Sequence, residues 1–239
     1  MILNSTQINT VDTDMLSLFK PNKQHAFMLA KKDKIDFIYN TSALEGNAMT
    51  YPEVQTLLEG VTVGGHKLSD EQQILNQNRS VNLLFDLIEK ERFKLDKAIL
   101  LKLHEKVAFE EALSWGAFRD GGVNIGGTDY LPPKADELDL LFEKGIKEIQ
   151  KITHPIVRAI SYFLFGAKCQ FFYDGNKRTS RLMMNGILLN EGYPILNIKA
   201  KDKLSFNQQM IAFYDGEPIE ISIEYLLNYY VEQNKHLVE

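Results

Sequence analysis

Cysteine is almost absent: Cys169 is the only one in 239 residues, which rules out an intrachain disulfide framework and any cysteine-based zinc cluster. It is expected to be a small buried hydrophobe. Histidine is sparse as well, and His25, His66, His104, His154 and His236 include no pair at the helical spacing a metal site would want. No run of eighteen apolar residues exists, so no membrane span is expected. The start, Met1-Ile2-Leu3-Asn4-Ser5-Thr6, lacks a basic stretch followed by an apolar one, and a cytoplasmic location is the expectation. A basic excess is missing too. The net charge of −5 and a pI near 5.6 give no footprint for nucleic acid. Internal repeats, low-complexity tracts and long linkers are also lacking.

What is present is helical periodicity, in a chain long enough to bury a full core. Ile74, Leu75, Asn78, Val81, Leu84, Phe85 and Ile88 recur at helical spacing, with Ser69 and Gln72 before them in a capping-box arrangement. Similar patterns predict helices over 22–40, 95–110, 134–151, 154–170, 176–191, 203–213 and 220–234. Asp96, Asp136 and Thr153 are the start signals, and Pro155 suits a first helical turn. The chain reads as all-α. Surfaces around Leu83 and Leu87 suit either a homo-oligomer contact or core packing.

The segment 115–133 breaks the pattern: Gly121, Gly122, Gly126 and Gly127 surround Val123 and Ile125, and Pro132-Pro133 closes it. This predicts a short β-hairpin flap between helices. A phosphate-binding P-loop does not fit, because no Gly-Lys-Ser/Thr follows. Residues 1–66 read as an N-terminal arm and helical layer, with residues 1–21 the arm, and residues 67–239 as the main unit.

Asp174-Gly175-Asn176-Lys177-Arg178-Thr179-Ser180-Arg181 gathers a carboxylate, a glycine turn, an amide and three cations. Gly175 can take a positive φ that points the following amides into one concavity, at the start of a helix whose positive end faces the same spot. Arg178 and Arg181 share a face of that helix. This is the chemistry of a magnesium-bound polyphosphate. The alternative is a capped helix start with solvated arginines.

From Phe172 onward this run resembles the signature of the Fic family, His-Pro-Phe-x-Asp/Glu-Gly-Asn-Gly/Lys-Arg-x-x-Arg. The segment ending Tyr130-Leu131-Pro132-Pro133 is similar to the family's target-docking flap, and Thr41-Ser42-Ala43-Leu44-Glu45-Gly46 to its inhibitory motif. The resemblance implies a helical bundle with a hairpin flap, and transfer of AMP from Mg-ATP to a Ser, Thr or Tyr hydroxyl of a target protein docked on the flap through residues such as Gly127 and Tyr130. It assigns Mg²⁺ to Asp174, phosphates to Gly175, Asn176, Lys177, Arg178 and Arg181, and inhibition to the motif of Thr41 and Glu45, whose carboxylate would pair with Arg181 where the γ-phosphate belongs. Asn207 and Tyr214 are weaker candidates for the nucleoside pocket; helix-surface positions explain them equally well. Two residues have bland readings besides: Ser42-x-x-Glu45 also matches a capping box, and Tyr130 suits a core aromatic.

One departure matters. Where the family has His-Pro, this chain has Gln170-Phe171. The family histidine takes the proton from the target hydroxyl, and a glutamine amide does not titrate in that range. Losing a general base costs about 10²–10⁴ in rate. His154, sixteen residues upstream, is too far along the same predicted helix to substitute and reads as a helix-start residue. Three expectations remain open: slow AMP transfer, a non-catalytic nucleotide-binding regulator, and phosphoryl transfer as in the related Doc toxins.

Overall fold

The computed structural model describes residues 3–237; Met1, Ile2 and the last two residues lie outside the described residues. The described residues form an all-helical bundle and contain no strand. In chain order the helices are α1 Ser5–Ile8, α2 Lys23–Lys32, α3 Lys34–Leu44, α4 Tyr51–Leu58, α5 Leu68–Glu89, α6 Lys97–Val107, α7 Leu138–Gln150, α8 Pro155–Cys169, α9 Asn176–Asn190, α10 Lys203–Tyr214 and α11 Ile219–Asn234.

At the centre lie α8 and α9, which contact each other more extensively than any other pair. Nearly every α8 side chain from Ile156 to Cys169 is apolar and buried, as expected of a helix surrounded by others. Gly166 lets the two helices close: a Cβ there would lie 2.3 Å from Ser180 Oγ on α9. Around this pair stand α5, α6, α7 and α11. The arm of residues 1–21 is seen from Leu3 onward, and it is packed: Leu3, Ile8, Val11, Leu16 and Phe19 are buried in the main hydrophobic cluster.

Several sequence expectations need correction. The helix expected over 22–40 is two helices meeting at Asp33, and α4 was not anticipated. Ser69 is no cap, since α5 has already begun at Leu68 behind Lys67. Asp136 lies in a short 3₁₀ turn ahead of α7, and Thr153 yields the cap of α8 to His154, whose Nδ1 accepts the Ile156 N–H at 3.3 Å. Asp96 does cap α6, accepting the Ile99 N–H at 2.8 Å. Leu87 is buried and Leu83 packs against the same core, so the fold itself uses those surfaces.

The segment 115–133 lies between α6 and α7 as an irregular loop, not the expected β-hairpin. The reason is local. The buried guanidinium of Arg119 takes the carbonyls of Gly121 and Pro133, at the two ends of the loop, and Thr128 Oγ1 turns outward to Asp215. Those contacts bind the loop to the body in place of a cross-strand ladder.

Candidate active site

The loop from Gln170 to Gly175 joins the two central helices, so its geometry is fixed by the core beneath it. Gln170 ends α8 in the left-handed region, φ +48° and ψ +61°. Phe171 and Phe172 plunge into the core, and Gly175 turns at φ +74°, as expected from the sequence. A Cβ on Gly175 would sit 3.1 Å from Val107 Cγ1, so close approach as well as conformation requires glycine. Asn176 fastens the loop: its Oδ1 accepts the Phe172 N–H at 2.9 Å, and its Nδ2 donates to the Phe172 carbonyl at 2.7 Å and to Gln170 Oε1 at 3.0 Å.

No side chain caps α9 and its first turn carries no acidic residue. Its leading N–H groups therefore face the cleft with the positive end of the macrodipole, an arrangement suited to an anion. The cleft has a volume of about 350 Å³ and is bordered by Gln170, Tyr173 and Asp174 through Arg178, by Asn124 to Gly126 of the flap, and by Glu45 and Tyr214.

The two arginines share the buried face of α9 but differ in partners. Arg178 Nη1 donates to Glu111 Oε2 at 2.9 Å and to the Val107 carbonyl at 3.3 Å, and its Nη2 lies 3.6 Å from Asp174 Oδ2. Glu111 is in turn held by Asn76 of α5 at 2.7 Å. Arg181 is 2% exposed and rests near the rings of Phe163 and Phe206, 5.9 and 5.5 Å from their centroids. Its Nη1 pairs by charge with Glu45 Oε1 at 2.9 Å, and none of its three nitrogens has a hydrogen-bond partner among the described residues. A buried guanidinium with spare donors is suited to an oxyanion ligand.

Glu45 lies just beyond the C-terminal end of α3, so the capping-box reading with Ser42 is overturned: Ser42 is in the last turn of that helix, not the first. A carboxylate is unfavourable beside a helix C-terminus. What holds it is the far wall, where Oε2 meets Lys177 Nζ at 3.1 Å and Oε1 meets Arg181. Burial alone would raise its pKa; the charges of Arg181, Lys177 and Arg178 outweigh that and hold it at about 2, from an ordinary 4.5. Since the folded value lies below the unfolded one, the contribution is complete above about pH 4.5 and is lost as pH falls through about 2, ~3 kcal/mol in all. Urea unfolding of the parent and of Glu45→Gln should accordingly differ most near neutrality and converge toward pH 2. A gap that does not vary with pH would contradict this account.

Asp174 is well exposed, with a side chain 61% accessible, and its Oδ1 accepts the Gly175 N–H. No cluster of three or more His, Cys, Asp or Glu suited to a metal occurs among the described residues. One open carboxylate beside an uncapped helix start fits a Mg²⁺ ion that takes its remaining ligands from phosphate and water. Thr41 is buried on α3, one turn before Glu45. Tyr214 borders the cleft with its hydroxyl buried and unpartnered among the described residues, and burial, then Glu45, pushes its pKa up. Tyr130 stacks on it at 6.1 Å, and burial pushes that phenol up to about 12. Gly127, at φ +86°, packs its backbone toward Ile211 of α10, and Asn207, half-buried on α10, is outside the cleft lining.

A family model described as Fic/DOC family matches residues 94–188. This segment is a Fic/DOC family domain. It runs from before α6 to near the end of α9 and so contains the flap and the signature loop. The chain is similar to the protein adenylyltransferase Fic of Drosophila ananassae, 28% identical over 213 residues, covering 85% of this chain and 42% of the relative. It thus spans about two fifths of the length of that relative. Among solved structures, Fic-1 (134–508) from C. elegans superposes with a TM-score of 0.74 at 17% identity, covering 97% of this chain and 68% of that one. IbpAFic2 in complex with adenylylated Cdc42 superposes with a TM-score of 0.53 at 14% identity, covering 96% and 76%. These structural likenesses show the Fic fold.

Within the Fic/DOC domain, sequence reading missed three residues that shape the site. Glu111 positions Arg178. Arg119, besides clasping the flap, donates from Nε to the Gln170 carbonyl at 2.6 Å. His104 stacks on Phe172 at 3.5 Å, accepts the Gly116 N–H at Nδ1 and therefore donates from Nε2 to the Asp174 carbonyl at 3.0 Å. Burial first, and then Arg178, drives its pKa down to about 4, so it is a neutral tether between flap and signature loop. All three lie 50 or more positions from their signature-loop partners, beyond the reach of any local pattern.

Proposed function

We propose that this chain binds Mg-ATP in the cleft at the start of α9 and transfers AMP to a hydroxyl of a target protein, with Glu45 restraining the nucleotide. The observation that carries the reading is the Glu45 carboxylate paired with Arg181 Nη1 and Lys177 Nζ at the edge of an anion site whose remaining guanidinium donors have no partner among the described residues. The similarity to proteins named protein adenylyltransferase Fic supports AMP transfer as the reaction, and the solved complex of IbpAFic2 with adenylylated Cdc42 supports a protein as the acceptor.

In this reading the leading amides of α9 and Lys177 hold phosphate, Arg181 binds the terminal phosphate once Glu45 withdraws, and Arg178 braces the cradle through Glu111. Asp174 would hold Mg²⁺, which supplies neutralisation of charge on the leaving pyrophosphate. Tyr214, with Tyr130 stacked behind it, walls the nucleoside side, and the flap about Gly127 receives the target segment. Thr41 belongs to the inhibitory layer within residues 1–66, and residues 67–239 form the catalytic unit with its flap at 115–133. A cytoplasmic setting, where ATP and Mg²⁺ are abundant, suits this chemistry.

Gln170 sets the rate. Its Nε2 donates to the Ala167 carbonyl at 2.6 Å and its Oε1 already accepts from Asn176. The carboxamide fixes the loop and takes no proton, so transfer proceeds by positioning and electrostatic stabilisation. The same fixed amide favours a second reading, a non-catalytic nucleotide-binding regulator. Incubation of the Glu45→Gly chain and a hydroxyl-bearing peptide with ATP labelled separately at the α- and γ-phosphates decides between them. Covalent label from the α-position is expected; label from the γ-position means phosphoryl transfer, and binding without label means a regulator.

A further inference from the structure

Glu45 can meet Arg181 only while the turn that carries it stays in place, and that turn is held by polar contacts. α3 ends at Leu44, and the chain reverses at Gly46, φ +96°. The Glu45 N–H returns to the Ser42 carbonyl and the Gly46 N–H to the Ala43 carbonyl, each at 3.0 Å. From one side Lys203, the first residue of α10, donates from Nζ to the same Ala43 carbonyl at 2.8 Å. From the other side α5 grips Asn47, whose Nδ2 donates to the Asp70 carbonyl at 2.9 Å and to Gln73 Oε1 at 3.0 Å. Glu45 stands midway between these two grips. The Lys203 ammonium also meets the negative end of α3, where a cation is favoured and a carboxylate is not.

One helix thereby serves both halves of the ion pair. Phe206, one turn after Lys203 on α10, backs the Arg181 guanidinium with its ring centroid 5.5 Å away. The segment leading into α10 follows α3 upward: Asn40 Oδ1 accepts the Ala200 N–H at 2.9 Å, and Asp36 Oδ2 accepts from Asn197 Nδ2 at 2.6 Å. We propose that Lys203 is the positioning residue of the inhibitory carboxylate, fixing the end of α3 so that Glu45 faces Arg181 and setting the strength of the restraint. The inference rests on the reading of Glu45 as a restraint on the nucleotide. Without the ammonium the turn loses one of its two grips, and the effective concentration of the carboxylate at Arg181 falls. Lys203 is outside the cleft lining, so it acts on the nucleotide through Glu45.

The test is calorimetric titration of the full chain with Mg-ATP, in the parent and in the Glu45→Gly background. Lys203→Met in the parent should tighten binding about three- to tenfold, less than Glu45→Gly does, because one hydrogen bond to a charged group is lost while the carboxylate remains. Lys203→Arg should restore the parent affinity, and Lys203→Met added to Glu45→Gly should change nothing. If Lys203→Met does not fold, Lys203→Gln, too short to reach Ala43, takes its place. Unchanged affinity in Lys203→Met beside tighter binding in Glu45→Gly overturns the role of Lys203 and leaves the restraint by Glu45 standing. An equal shift in both backgrounds also overturns it, since the lysine would then act without the carboxylate. Unchanged affinity in Glu45→Gly itself overturns the proposal together with the restraint.

Discussion

Replacing Glu45 by glycine should tighten Mg-ATP binding about tenfold to a hundredfold, the range expected when a competing intramolecular contact of a few kcal/mol is removed. Arg181 is the contested group. Its guanidinium is 2% exposed, faces Glu45 at 2.9 Å, and has two further donors unused by the described residues. A tethered carboxylate meets this group at high effective concentration and so excludes a free phosphate without being intrinsically strong. The same substitution leaves a buried guanidinium without its carboxylate, which costs about 3 kcal/mol of stability. The variant should therefore melt earlier than the parent when empty, and Mg-ATP should raise its melting temperature more than the parent's. Calorimetric titration of both proteins reads the affinity directly. Equal affinities would show that Glu45 does not guard the nucleotide site.

Gln170→His, introduced beside Glu45→Gly, should raise AMP transfer to an external hydroxyl by about 10²–10⁴. The backbone is ready for it. Position 170 sits at φ +48°, where histidine is better tolerated than most side chains. The exchange gives up hydrogen bonds to Ala167 and from Asn176, but Asn176 keeps both of its bonds to Phe172, so the loop retains its fastening. The expected loss of stability is only about 1–2 kcal/mol. ATP affinity should stay where it was while turnover rises, separating rate from binding. A rate that does not move, with binding intact, would mean that the proton is not taken at position 170.

The helices of the central bundle were legible because burial writes its period directly into the chain: α5 buries Ile74, Val81 and Leu84, as its spacing required. The start of α9 was legible for a different reason, since Gly175 before a run of cations has few other uses. The break at Asp33 was not, because no glycine or proline marks it among Lys31, Lys32 and Lys34. α4 left a readable signal in Thr50 and Glu53, where the glutamate accepts the Thr50 N–H at 2.7 Å. The same two-residue pattern misled at Ser42-Glu45 and Ser69-Gln72, since serine followed three places later by an acid or amide also occurs inside and at the ends of helices. The flap failed as a hairpin because β-branched residues among glycines cannot reveal that a buried arginine will claim the backbone carbonyls. His104, Arg119 and Glu111 were silent because their meaning exists only across the fold.

The three carbonyls gathered by Arg119, those of Gln170, Gly121 and Pro133, have a consequence for how such a protein can diversify. Both feet of the loop are anchored to one side chain, and that side chain is anchored to the residue at the end of α8. The span between the feet can therefore change in composition, or in length, without moving the chemistry beneath it. If the loop receives a target as proposed, exchanging only the stretch between Gly121 and Pro133 for the matching stretch of a Fic/DOC family protein is the economical way to change which target docks.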